Sequence, residues 1–312
     1  MSRIGPSATG GEIDPRPQAG AFSYEVAFSR NLGLISAEEQ DRLRRARVAI
    51  VGMGGVGGIH LVTLTRLGIG AFSIVDPDGF ELANINRQFG ATARGLGRSK
   101  AEVMAEEARA INPELDIRVF VERLTPDNVG TILDSADVLV DGIDFFSLDA
   151  RRAAFREAAR RGIWGVTSGP IGMSTSYLTF DPDGMSFDDY FDLTDGMDRL
   201  DQVIAFLSGL CPEATHAPYM DMTKVDPTTG RGPSVGLACH LCSGVTAAEV
   251  TKILLKRGPL EPAPCYAQFD AYQRELRKGC LPSGNRSPER RELRRQLRAH
   301  FIKLGWGSPP VG

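Results

Sequence analysis

The first hundred positions hold residues of the types, and at the spacings, that handle phosphate. Gly52, Gly54 and Gly57 fall at G-x-G-x-x-G spacing in the run Val48-Ala-Ile-Val-Gly-Met-Gly-Gly-Val-Gly57, with Gly55 as a fourth glycine. Glycines there permit a tight turn and let backbone N–H groups approach an anion at the start of a helix. Asp76 and Asp78 follow, then Asn84-Ile-Asn-Arg-Gln88, then Lys100. Asn84 and Gln88 offer amide donors, Arg87 a planar and permanently charged fork, and Lys100 a point charge. Such a set suits a triphosphate better than a dinucleotide, so it separates carboxylate-activating chemistry from hydride transfer.

The chain around these residues has the periodicity needed to position them. Arg47 to Val51 is β-branched and reads as a buried parallel strand. Ile59-His-Leu-Val-Thr-Leu-Thr-Arg-Leu67 is apolar at helical spacing and stops at Gly68. A second strand, 71–75, delivers Asp76, the place of an acid that bonds a ribose hydroxyl in dinucleotide folds. At this point NAD is still open. The stretch from Asp76 to Phe89 is polar and has no amphipathic period, so it is no ordinary crossover helix. Further strands are expected near 116–121, 137–141, 163–168 and 173–180, with helices near 99–110, 125–134 and 147–161. The fold class is therefore α/β, a doubly wound Rossmann-like and mostly parallel sheet. Between 181 and 233 the periodicity fades, apart from a helix over 200–210, and this long irregular excursion is expected to select substrate.

The ordered motifs Gly52 to Gly57, Asp76-Pro-Asp78, Asn84 to Gln88, Gly97-Arg-Ser-Lys100 and Ile111-Asn-Pro113 resemble those of the ThiF/MoeB/HesA family, which belongs with the ubiquitin-activating enzymes. The resemblance covers roughly residues 28 to 180 and resumes over 234 to 275. It implies ATP-dependent adenylation of a carboxylate with Mg²⁺ and release of pyrophosphate, by a homodimer. The carboxylate implied is the C-terminus of a ubiquitin-like or sulfur-carrier protein or a peptide. One branch of the family instead adenylates a carboxylate on a modified tRNA base, as a tRNA threonylcarbamoyladenosine dehydratase does, and a small-molecule carboxylate belongs with that alternative. Carried over by motif, Asp76 holds the ribose, Asn84 and Arg87 contact phosphates, and Lys100 stabilises the charge that develops on them. Asp144 matches the aspartate that places nucleotide and Mg²⁺, although Phe145 follows where Asn is usual. Arg30, in Phe28-Ser-Arg-Asn-Leu-Gly33, matches an arginine that reaches into the partner subunit's ATP site. An NAD-dependent oxidoreductase or nucleotide-binding scaffold is the reading outside adenylation.

The five cysteines read as free thiols rather than as a disulfide framework, with Cys265 and Cys280 standing alone. Cys239-His-Leu-Cys242 has C-x-x-C spacing inside a long apolar helix over 234–255, where buried thiols are expected and a metal held with help from His240 or another chain is the competing reading. Phe187-Asp-Asp-Tyr190 occupies the place of the family's first zinc-binding pair, so no zinc site is expected. Cys211 is the candidate for an acyl- or sulfur-carrying thiol by region, with a structural cysteine as the competing reading. His216 and Tyr219 fall in the same excursion as candidates to line a substrate loop.

A net charge of −3 over 312 residues gives no general reason to expect nucleic acid. No run of 18 apolar residues and no signal-peptide pattern is present, so no membrane partner and a cytoplasmic location are expected. Residues 1–20, rich in Gly, Pro and Ser, read as disordered; 21–280 form the adenylation domain, with 181–233 as its substrate region. Residues 281–312 form a basic helix and tail, capped by Ser287 and Pro288, with an apolar stripe of Leu293, Leu297, Phe301 and Leu304. Seven Lys/Arg against two Glu between Arg286 and Lys303 leave two readings, a docked helix with a solvated basic face or a patch for tRNA or an acidic partner.

Overall fold

Val48 and Ile50 face one apolar layer while Ala49 and Val51 face another, so the first strand is buried on both sides and must lie inside a sheet. A computed structural model describes residues 22–226 and 230–306 of the chain. The expected disorder of 1–20 and the tail beyond 306 lie outside the described residues. The elements in order are α1 (Tyr24–Ala27), α2 (Ala37–Arg45), β1 (Arg47–Val51), α3 (Gly57–Arg66), β2 (Ala71–Val75), α4 (Lys100–Ile111) and β3 (Asp116–Phe120). Then come α5 (Val129–Ile132), β4 (Val138–Asp141), α6 (Leu148–Arg160), β5 (Trp164–Ile171) and β6 (Ser174–Phe180). The chain continues through α7 (Phe187–Phe191), α8 (Arg199–Leu210), α9 (Gly236–Leu255), β7 (Cys265–Asp270), β8 (Glu275–Cys280) and α10 (Pro288–Lys303).

One eight-stranded sheet runs in the order β3-β2-β1-β4-β5-β6-β7-β8. The first five strands in that order are parallel, and β6, β7 and β8 add an antiparallel extension. Val51 pairs with both Val75 and Asp141. Gly52, Asp76 and Gly142 therefore leave adjacent strands at one level. The chain departs from β1 to β2 on one side and reaches β4 on the other, and the gap between β1 and β4 is where such sheets bind ligands.

The expected strands and most helices are present; α5 is shorter than the 125–134 expected because Asn128 first closes a turn on the Thr125 N–H at 2.8 Å. The excursion is more ordered than its sequence suggests. Phe187, Tyr190 and Phe191 of α7 are buried against Phe155, Phe180 and Phe206, with Phe155 stacked on Phe187 at 4.5 Å. A five-residue helix is too short to display a period, so its core role was hidden.

Cys265 and Cys280 form a disulfide, which corrects the reading of both as free thiols. The cause is register: β7 and β8 pair as a hairpin in which Cys265 stands opposite Cys280. Cys239 and Cys242 are buried on α9. The helix α10 is docked, and its arginines, several of them still exposed, are mostly paired with acids. Arg286 bonds Asp189, Arg294 bonds Asp192, and Arg298 reaches Asp201 at 2.6 Å and Asp198 at 3.0 Å. Arg290 donates to Asn285 at 3.1 Å and to the Ser208 carbonyl. In the apolar stripe Phe301 is buried and stacked on Trp306, Leu293 and Leu297 are half-buried, and Leu304 is exposed. Asp192 takes αL geometry and serves Arg286, Arg291 and Arg294. Asn tolerates αL, so Asp192→Asn is expected to remove charge without backbone strain. It should cost about 1 kcal/mol, read as faster limited proteolysis within α10 in low salt and a smaller difference from wild type in high salt.

His60, on α3, is 1% exposed, and neither ring nitrogen has a hydrogen-bond partner among the described residues. Burial pushes its imidazole down to about 3. The unfolded chain, titrating near 6.5, then binds a proton that the folded chain refuses. Stability should fall as pH drops below about 6.5, by up to about 1.4 kcal/mol per unit until the folded value is reached. Urea melts at pH 7.5 and 5.0 should show a smaller acid loss in His60→Leu than in wild type.

Candidate active site

The turn after β1 is built by three glycines against one another. Gly52 has φ +91°, and a Cβ there would stand 2.3 Å from the Gly142 carbonyl oxygen. A Cβ on Gly57 would stand 1.8 Å from the Gly52 oxygen. Those two positions must be glycine for β1, β4 and α3 to meet. Gly54 is different: its nearest neighbour is Gln88 Nε2 at 3.9 Å, so it faces open space. Gly55 faces Cys239 Sγ at 3.2 Å and Arg87 beyond. The N–H groups of Gly54 and Gly55 have no acceptor among the described residues and are free to meet an anion.

Asp76 ties this turn to β2. Its carboxylate accepts the N–H of Met53 at 2.6 Å and that of Asp78 at 2.8 Å. Burial pushes the group up, while the two N–H donors and the nearby Lys100 charge oppose the shift. Lone pairs remain on both oxygens for a ribose hydroxyl. Lys100, 8% exposed at the head of α4, is held by Asp78 at 3.1 Å. Ser99 caps that helix through the Glu102 N–H, so the lysine's backbone is fixed as well.

The segment after Asp78 forms the short 3₁₀ turn Leu82–Asn84 rather than a crossover helix. Asn84 Oδ1 accepts the Glu81 N–H at 2.9 Å, leaving its Nδ2 uncommitted among the described residues. Asn86 donates to the Ser234 carbonyl at 2.8 Å, which pins the segment to the start of α9. Arg87 is half-buried between the glycine turn and Gly236, with Nη1 donating to the Ala83 carbonyl at 2.9 Å and to Asn86 at 3.0 Å. Gln88 is 7% exposed, and its Oε1 has no partner among the described residues. Two helix N-termini, of α3 and α9, thus flank one cluster of Arg87, Gln88 and uncommitted amides, a positive environment for phosphate.

Asp144 lies across the gap on the loop after β4. It is exposed, and one carboxylate oxygen accepts the Phe146 N–H at 3.0 Å. The other oxygen has no partner among the described residues, a hard donor of the kind Mg²⁺ takes. Arg30 is not brought to this cluster. It is exposed in the 3₁₀ turn Ser29–Asn31, whose Asn31 bonds the Leu67 carbonyl at the far end of α3, a helix about 15 Å long. Cys211 is buried at the end of α8, where burial pushes its thiol well above the usual range. As placed, it presents no accessible sulfur.

His216 and Tyr219 gather at the β5–β6 turn, on the same edge of the sheet. Tyr219 donates to Asp270 at 2.8 Å and accepts the Met173 N–H at 2.9 Å. His216 is buried, which lowers its pKa. Sequence reading missed Asp141, Arg151 and Thr167, a buried polar group behind Asp144, and Ser234 at the start of α9. An acid closing an apolar strand with an arginine one turn into the next helix was the available signal.

The fold and this phosphate-ready turn define a nucleotide-binding α/β protein of the doubly wound type. The ThiF family model matches residues 28–289, and the chain belongs to that family. Among curated relatives it is similar to the tRNA threonylcarbamoyladenosine dehydratase of Haemophilus influenzae, 33% identical over 154 residues, 49% of this chain and 58% of the relative. It is also similar to the probable adenylyltransferase/sulfurtransferase MoeZ of Mycobacterium tuberculosis, 33% identical over 245 residues, 76% of this chain and 56% of the relative. The chain thus spans little more than half the length of these curated relatives. Among solved structures, that of Escherichia coli tRNA N6-threonylcarbamoyladenosine dehydratase in complex with AMP superposes with a TM-score of 0.56 at 23% identity, covering 74% of this chain and 95% of that one. That likeness bears on the fold. Among the described residues no helix is long and apolar enough to cross a membrane.

Proposed function

We propose that the protein is an ATP-dependent adenylyltransferase that activates a carboxylate and releases pyrophosphate. The observation that carries this reading is the convergence of Arg87, Gln88, free glycine N–H groups and two helix N-termini at the β1–β4 gap, with buried Lys100 beside it. A dinucleotide needs only the turn and the ribose acid; a triphosphate needs the added cations. In the reaction the substrate carboxylate oxygen attacks the α-phosphorus, the bond to the bridging oxygen breaks, and pyrophosphate leaves with that electron pair. Asp76 holds the ribose, Asn84 and the glycine N–H groups orient the phosphates, and Arg87 and Lys100 neutralise the leaving group. Mg²⁺ would sit at Asp144 and add charge neutralisation on the phosphates. Arg30, remote from the cluster of its own chain, fits a homodimer in which it serves the partner's site.

The acyl group we favour is the C-terminus of a ubiquitin-like or sulfur-carrier protein or a peptide, accepted beside the 181–233 region in the cytoplasm. The sulfurtransferase in the name of the MoeZ relative supports that choice. The name of the Haemophilus relative keeps a tRNA-borne carboxylate as the alternative. The pairing of Arg286, Arg294 and Arg298 weighs against the tRNA reading, because it removes the free basic patch that suggested RNA. ATP–pyrophosphate exchange with carrier proteins ending in Gly-Gly, peptides and tRNA tests the choice. Exchange stimulated by a carrier or peptide is expected; exchange stimulated only by tRNA, and falling steeply with salt, would favour the alternative.

A further inference from the structure

Arg151, one turn into α6, organises the loop that carries Asp144. It is 3% exposed. Nη2 donates to the carbonyls of Ile143 at 2.6 Å and Asp144 at 3.3 Å, and Nη1 to that of Phe145 at 3.3 Å. Nε pairs with Asp141 at 2.7 Å, and the same Asp141 oxygen accepts from Thr167 at 2.7 Å. Asp141's other oxygen accepts the Ile143 N–H at 3.0 Å. Three successive carbonyls thus converge on one guanidinium, which turns the backbone of 143–145 inward while Asp144 stays exposed. The central carbon of the guanidinium lies over the Phe206 ring, 4.4 Å from its centroid, and the Phe145 ring centroid is 5.1 Å from the same ring.

A buried ion pair is a weak source of stability, and apolar residues of similar volume often replace one at no cost. A lysine there could neutralise Asp141, yet its compact ammonium cannot span three carbonyls in a plane. What the site uses is the fork. We infer that Arg151 is a positioning residue that fixes the loop from which Asp144 meets the nucleotide and its metal. This inference rests on the adenylation reading for the role of Asp144; the hold of Arg151 on the loop does not.

Two measurements on the full-length chain test it. Amide hydrogen exchange without nucleotide is compared between wild type and Arg151→Lys. The Ile143 and Phe146 amides should exchange at least about tenfold faster in the variant while those of β1 are unchanged; equal rates at 143 and 146 would overturn the assignment. MgATP affinity is then titrated calorimetrically in wild type, Arg151→Lys, Asp144→Ala and the double variant. Arg151→Lys should weaken binding about tenfold, and should add less than about twofold once Asp144 is alanine, because coupled residues are non-additive. A merely structural arginine would give multiplying losses, and that outcome would overturn the inference. If Arg151→Lys does not fold, Asp141→Asn/Arg151→Met, which leaves no unpaired buried charge, carries both comparisons against Asp141→Asn alone, with exchange read at the Phe146 amide because Asp141 itself accepts the Ile143 N–H. A wild-type chain that binds no MgATP would defeat the adenylation reading, and with it the nucleotide half of the inference, while the exchange rates still decide whether Arg151 holds the loop.

Discussion

Arg87→Ala and Lys100→Ala should each lower ATP–pyrophosphate exchange by about 10²–10³-fold, the usual loss when one charge-stabilising donor is removed. The two should differ in how they do it. Arg87 is half-buried against Gly55 and Gly236, and among the described residues its guanidinium bonds only a carbonyl and one amide of its own segment. Its removal leaves no buried charge behind, and the melting temperature should stay close to that of wild type. Lys100 is nearly buried and its partner Asp78 is mostly exposed, so water can take over the carboxylate in Lys100→Ala. Circular dichroism melts beside the exchange assay separate lost chemistry from lost fold. A variant of either residue with near-normal exchange would remove it from the reaction.

The second large effect is expected within the glycine turn, where two alanines should behave in opposite ways. Gly57→Ala places a methyl 1.8 Å from the Gly52 oxygen, and both partners are backbone. No rotamer relieves that contact, so β1 and α3 must separate. Overpacking typically costs about 1–3 kcal/mol and more where nothing can move, so Gly57→Ala is expected at or above the top of that range. Gly54→Ala meets only Gln88 Nε2 at 3.9 Å. It should fold normally and lose nucleotide affinity, because its methyl stands in the space where a phosphate would lie. Urea melts paired with MgATP titration check both. Equal stability losses would mean that the turn is not divided into a packing part and a binding part.

Much of this arrangement was legible in the sequence, for identifiable reasons. Arg47 to Val51 and Ala71 to Val75 are buried on both faces, and such strands are near-continuous apolar runs. The polar, unperiodic stretch from Asp76 to Phe89 pointed to a segment that delivers side chains rather than a packed helix, and that segment supplies Asn84, Arg87 and Gln88. Interactions distant in sequence were not legible. Asp192 and Arg294 meet across 102 positions, so the arginines of α10 looked solvated when most of them were paired. Cys265 and Cys280 looked solitary because their pairing depends on a hairpin register, although the two are placed evenly about the turn between Asp270 and Glu275. Asp141 passed as the end of a strand; the arginine one turn into the next helix was a local signal for its partner, but Thr167, which shares the carboxylate, lies 26 positions away.

The placement of Arg30 bears on how the site is completed. With its own cluster at the other end of α3, it would serve the proposed reaction from a second copy of the chain. Mixing Arg30→Ala with Lys100→Ala chains should therefore restore part of the exchange activity that each lacks alone.

If the β1–β4 gap holds ATP for attack by a carboxylate, exchange of labelled pyrophosphate into ATP measures that step itself. With Gly-Gly-ending carriers, peptides and tRNA supplied in turn, Mg²⁺-dependent exchange that requires one of these carboxylates and is lost in Arg87→Ala is expected. No exchange with any of them, together with saturable binding of NAD at the same turn, would contradict it.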